Sequence, residues 1–193
     1  MSRFFKPEEW ERLPMDELWV FGYGSLMWRP GFEFEEAHVA VLEGYHRSLC
    51  VYSYVYRGTP EKPGLVLGLA EGGETIGMAF RVAALDREAV IAYLREREQV
   101  TSVYLERTGT ARLMSGDRRG EEVKVLAYVA DPDHEQFAGQ LSLKEQERVV
   151  LDGRGKAGPN IDYVLNTVDH LKEIDIDDPE LFALGAALRA KTV

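Results

Sequence analysis

Trp19-Val20-Phe21-Gly22-Tyr23-Gly24-Ser25-Leu26-Met27-Trp28 follows Leu18, so an apolar run ends abruptly in two glycines one residue apart, a serine and three large apolar residues. The run reads as a strand. Glycine lets backbone or ligand approach closely, so a strand ending in Gly-x-Gly-Ser can turn sharply with its N–H groups facing outward. Such a loop can hold an anion, or it can be a plain tight turn after an edge strand; spacing alone allows both. It is not a dinucleotide fingerprint, because Met27 stands where the third glycine would fall.

Downstream of this loop the pattern stays strand-like. Ala37 to Leu42 is short and mostly apolar, Glu43-Gly44 reads as its turn, and Tyr45 to Tyr56 is aromatic and β-branched. Arg57 to Gly64 carries two prolines and two glycines and reads as a loop. Leu65 to Ala70 and Thr75 to Val82 flank Glu71-Gly72-Gly73-Glu74, which predicts a β-hairpin. Asp86 opens a helix running to Glu98 or Gln99, and two further strands follow over Tyr104–Leu113 and Glu122–Val129. From Ser142 the period becomes helical, with a capping box at Ser142 and Glu145, a helix from Asn160 to Ile174, and a last helix opened by Asp178-Pro179. The fold class expected is mixed α+β: about seven short strands in a small barrel or strongly curved sheet, with helices packed around it.

At 193 residues the chain suits one well-buried domain, and the whole length, 1–193, is taken as that domain with 1–17 as an N-terminal extension. No apolar run approaches the ~20 residues that span a bilayer. Met1 to Met15 is largely polar and does not read as a signal peptide, and a single cysteine excludes an internal disulfide; a cytoplasmic location follows. Cys50 lies inside a strand-like run and reads as a buried structural thiol. A net charge of −10 argues against nucleic acid or an anionic membrane as partner. An anionic small molecule would need local donors to overcome that field. His38, His46, His134 and His170 lack ligand spacing, so neither metal nor cofactor is expected. Gly153 to Gly158 matches G-x-G-x-x-G, but a helical pattern precedes it and no βαβ unit follows.

The most informative residue lies on the helix after Asp86. At about 100° per residue, Val90, Ile91, Tyr93 and Leu94 share one side, and position 98 returns to it. A carboxylate there is costly unless paired, neutralised or functional. Glu98 is therefore either a working carboxylate on a buried stripe or a residue just past the packed face, paired with Arg95 or Arg97.

Taken together, Val20 to Trp28, Arg57-Gly58-Thr59-Pro60 with Pro63-Gly64, Tyr93-Leu94 with Arg97-Glu98, and Asn160 to Tyr163 resemble the ChaC-like gamma-glutamylcyclotransferases. The resemblance runs from Trp19 to about Leu188. It implies a gamma-glutamylcyclotransferase-like barrel and an enzyme, a lyase without metal or cofactor, that cleaves glutathione into 5-oxoproline and cysteinylglycine. It also implies roles: Val20, Phe21, Gly22, Tyr23, Gly24, Ser25 and Leu26 hold the gamma-glutamyl group, Glu98 is the acid/base, and Tyr163 hydrogen-bonds near it. One stretch departs, Gln99 to Val103, where the family carries small, often glycine-bearing sequence. Rival readings are a cyclotransferase for other gamma-glutamyl amino acids or gamma-glutamylamines, and a regulator that keeps only the fold.

Overall fold

The computed structural model describes residues 17–98 and 102–191. The expected extension, save Glu17, and Gln99-Val100-Thr101 of the departing stretch lie outside the described residues.

Strand β1 (Leu18–Gly22) is buried along its entire length. Continuous apolar sequence is what a strand covered on both faces requires. It runs into a single 3-10 turn at Ser25–Met27. Strands β2 (Glu36–Ser53) and β3 (Gly64–Val82) follow, then helix α1 (Arg87–Glu98), β4 (Tyr104–Leu113) and β5 (Glu122–Ala130). The five strands close a barrel in the order β1-β3-β2-β4-β5. Strand β1 is antiparallel to β3, with Leu18 opposite Val82 and Gly22 opposite Met78, and parallel to β5, with Trp19 opposite Val125.

The barrel has five strands where the sequence suggests about seven. Ala37–Leu42 and Tyr45–Tyr56 belong to the single strand β2, which ends at Ser53, and the expected hairpin arms Leu65–Ala70 and Thr75–Val82 are the single strand β3. The breaks fell on Gly44, Gly72 and Gly73, whose φ angles are 86°, 96° and 72°. Positive φ at glycine bends a strand without ending its ladder. Across these bends the Thr75 hydroxyl donates to the Tyr45 carbonyl at 2.8 Å, so both strands continue side by side.

The chain divides into two compact units, Met1–Tyr45 with Gly72–Val129 and His46–Glu71 with Ala130–Val193. In the first, Leu18, Val20, Leu26, Val82, Val90, Leu94, Leu126 and Tyr128 form one buried cluster against which Ile91 and Tyr93 pack. In the second, α2 (Leu143–Asp152), α3 (Asn160–Glu173) and α4 (Pro179–Lys191) pack on one another. Ser142 forms the expected capping box with Glu145, although Leu143 is exposed and the buried stripe of α2 begins at Val149. The Asp178 carboxylate accepts from the Leu181 N–H at 3.1 Å at the start of α4. At Gly185 of α4 an added Cβ would stand 3.0 Å from the Val168 side chain, so glycine is what lets α3 and α4 approach.

Candidate active site

In the first unit the glycine loop is shaped by close packing, and Gly24 takes φ −134° with ψ −131°, outside the regular helix and strand regions. A Cβ at Gly22 would lie 3.0 Å from the Leu26 Cβ, and one at Gly77 would fall 2.3 Å from the Gly22 carbonyl oxygen. Only glycine at both positions allows β1 to end there and the chain to fold back at once. The Met27 N–H donates to the Gly24 carbonyl at 2.9 Å and the Arg29 N–H to the Ser25 carbonyl at 2.8 Å, closing the turn. Val20, Phe21 and Leu26 point into the core, and Tyr23 is buried as well. Among Val20 to Leu26, Ser25 is the position that is exposed.

Helix α1 delivers the carboxylate. Val90 and Leu94 are buried, and the Glu98 side chain, continuing their side, keeps 19% of its exposure. Glu98 lies on the packed side of α1 and is also paired, its Oε1 3.2 Å from the Arg97 Nε. Burial pushes its carboxyl above the usual carboxylate range, and the adjacent Arg97 opposes that shift only in part.

Arg97 also reaches the glycine loop. Its Nη2 donates to the Ser25 hydroxyl at 2.9 Å, and its Nη1 to the Arg29 carbonyl at 2.8 Å, the Pro30 carbonyl at 3.2 Å and the Tyr93 hydroxyl at 2.9 Å. One guanidinium thus brings Ser25 and Glu98 together. The sequence holds a local hint of this, Tyr93 and Arg97 at i and i+4 on one helix, but the carbonyls and Ser25 are distant in the chain.

The other arginine of this helix turns elsewhere. Arg95 makes a two-pronged pair with Glu106 on β4, at 2.9 and 2.7 Å, and the Tyr128 hydroxyl donates to the same carboxylate at 3.0 Å. Burial, then the Glu106 charge, pushes the Tyr128 phenol up so that it stays protonated, and Glu98 adds to that shift. A polar network therefore lies within electrostatic reach of Glu98. No periodicity pointed to it, since it joins a helix and two strands.

In the second unit, Tyr163 stands on α3, where its hydroxyl accepts from the Leu67 N–H at 3.1 Å and the Arg57 guanidinium lies 5.6 Å from its ring centre. Arg57 donates to the carbonyls of Ala157 and Pro159 at 2.7 and 3.1 Å. Asn160 is fully buried and clamps Leu65, accepting from its N–H and donating to its carbonyl, both at 2.7 Å. The loop from Arg57 to Gly64 is closed by glycine contact, since a Cβ at Gly58 would lie 2.1 Å from the Gly64 nitrogen. The Gly153–Gly158 stretch forms two short paired strands, β6 (Arg154–Gly155) and β7 (Gly158–Pro159), between α2 and α3. Gly155 lies against the Tyr56 backbone and Gly153 against Gly64, so these two serve packing, while Gly158 turns the chain at φ 97°. Cys50 is buried with its thiol pushed up to about 12 by desolvation, which suits a structural residue. Among the described residues, no group of three His, Cys, Asp or Glu side chains could hold a metal ion.

The chain and its fold have counterparts among known proteins. A model of the ChaC-like protein family matches residues 18–191, and the chain belongs to that family. Glutathione-specific gamma-glutamylcyclotransferase 1 of Danio rerio is 35% identical over 177 residues, covering 90% of this chain and 89% of the relative. Glutathione-specific gamma-glutamylcyclotransferase of Escherichia coli (strain K12) is 32% identical over 164 residues, covering 85% of this chain and 69% of the relative. Among solved structures, a gamma-glutamyl cyclotransferase specific to glutathione from yeast shares the fold with a TM-score of 0.80 at 22% identity, over 91% of this chain and 96% of that one.

Proposed function

We propose that this chain is a glutathione-specific gamma-glutamylcyclotransferase, a cytoplasmic lyase that releases 5-oxoproline and cysteinylglycine, with residues 1–193 acting as one gamma-glutamylcyclotransferase-like domain. The observation that carries the reading is Glu98, a desolvated carboxylate of raised proton affinity that shares Arg97 with the exposed Ser25 of the glycine loop. The names of the relatives and the unbroken family match over residues 18–191 support the substrate and the domain.

The chemistry needs little beyond a proton carrier. The α-amine of a gamma-glutamyl group can close a five-membered ring onto its own amide carbon, with the high effective concentration of an intramolecular reaction. That amine has a pKa of ~8 and is mostly protonated near neutral pH. Glu98 takes the proton, the amine nitrogen bonds to the amide carbon, and the carbonyl oxygen becomes an oxyanion. The Ser25 hydroxyl and backbone N–H groups of Gly22 to Leu26 are suited to stabilise that oxyanion or to hold the substrate carboxylate. The oxyanion then collapses to a carbonyl and the carbon–nitrogen bond to cysteine breaks as Glu98 returns the proton to the departing nitrogen; the second proton of the ring nitrogen follows by the same carboxylate, leaving a neutral lactam and a protonated cysteinylglycine amine. Tyr163 is read as a further substrate contact, and Val20, Phe21 and Leu26, whose side chains are buried, would contribute through backbone.

The test is to incubate the protein with glutathione and with glutathione acylated on its α-amine. Release of 5-oxoproline from the first and no cleavage of the second is expected, because the nucleophile lies inside the substrate. Comparable release of cysteinylglycine from the acylated compound would mean hydrolysis and would overturn the reading.

A further inference from the structure

Among the described residues the Arg97 guanidinium makes five polar contacts, to oxygens of Ser25, Arg29, Pro30, Tyr93 and Glu98, all within the first unit. A flexible side chain held at that many points loses its rotamer freedom, and a planar fork is the shape that can satisfy several acceptors at fixed angles. The division of labour is specific. Nε faces Oε1 of Glu98, Nη2 faces the Ser25 hydroxyl, and Nη1 anchors the carbonyls that follow the 3-10 turn.

We propose that Arg97 is the positioning residue of this site: its guanidinium sets the Glu98 carboxylate and the Ser25 hydroxyl in one fixed geometry, so that a single gamma-glutamyl group meets both. This rests on reading Glu98 as the acid/base. Two consequences follow from the atoms engaged. With Oε1 on Arg97, proton exchange with substrate falls to Oε2. With a lone pair of Ser25 Oγ occupied by Nη2, the serine hydrogen is the one turned toward an incoming oxygen. The positive charge beside Glu98 also restrains the rise in its proton affinity that burial causes. Arg97 is therefore asked for charge at one end and for shape at the other.

Two substitutions separate those demands. Arg97→Lys keeps a charge near Glu98 but not the planar fork; Arg97→Gln loses both. The measurements are kcat and kcat/KM for glutathione against pH, thermal melting, and infrared titration of the Glu98 carboxyl taken as the difference from Glu98→Gln. Both variants are expected to lose kcat by about 100-fold, the scale of an ångström's misplacement of reacting groups. In Arg97→Gln the acid limb of kcat/KM and the Glu98 titration both move to higher pH; in Arg97→Lys they stay near wild type while kcat remains low. Wild-type kcat in either folded variant would overturn the proposal, as would an unmoved Glu98 titration in Arg97→Gln. A loss of activity fully accounted for by the fraction unfolded would do the same. Should Arg97→Gln not fold, Arg97→Lys still decides through its kcat. If the wild-type protein yields no 5-oxoproline, the proposed reaction fails by itself, and the infrared titration, which needs no substrate, still decides the case of Arg97.

Discussion

Glu98 is desolvated on the packed side of α1, and its Arg97 partner offsets only part of that cost, so the folded protein holds this proton more tightly than the unfolded chain does. The sign in stability follows. Above the unfolded pKa of ~4.3 the unfolded chain releases the proton first, so the stability this group contributes below that pH is lost progressively until the folded pKa is passed. Glutamine keeps the shape and cannot ionise. It also strands nothing, since Arg97 retains its bonds to Ser25, Arg29, Pro30 and Tyr93. Glu98→Gln is therefore expected to melt at or above the wild-type temperature at neutral pH, with the difference shrinking toward pH ~4, while losing turnover. Melts at several pH values check this, and a variant clearly destabilised at pH 7 would show that the carboxylate serves the fold as an ion-pair partner. The helical period was enough to place Glu98 on the buried side. The pairing of Glu98 with Arg97 was one of the alternatives the sequence offered, but the other partners of Arg97 were not legible beyond nearby Tyr93, because they are two backbone carbonyls and a hydroxyl supplied by the glycine loop and the segment after it.

At the scale of elements, segments were legible where their ends are chemical stops. Gly22 to Ser25 ended β1, Ser142 with Glu145 opened α2, and Asp178-Pro179 opened α4. Gly44 and Gly72-Gly73 misled because a glycine at positive φ looks the same in sequence whether the chain reverses or merely bends. What decides is the neighbouring strand, and the bond from Thr75 to Tyr45 is a long-range fact. Asn160 is another case: its place in a motif was visible, its work as a strut on β3 was not. Asn160→Ala would leave the buried N–H and carbonyl of Leu65 without their side-chain partner. Each orphaned group costs about 1–3 kcal/mol, so for the two a loss of about 2–6 kcal/mol in denaturant unfolding is expected. A change below about 0.5 kcal/mol would mean that the clamp contributes no net stability.

For the molecule as a whole, a net charge of −10 and an anionic substrate pull in opposite directions. For the proposed substrate, local donors such as the Ser25 hydroxyl would offset this, because hydrogen bonds at contact distance act where the long-range field is already screened by salt. The central claim is that Glu98 moves the proton for an internal cyclisation. It is tested most directly by measuring the products formed from glutathione by wild type and by Glu98→Gln protein shown to be folded. The expected result is 5-oxoproline and no free glutamate from wild type, and neither product above background from Glu98→Gln. Free glutamate from wild type, or 5-oxoproline from Glu98→Gln at a rate close to wild type, would contradict it.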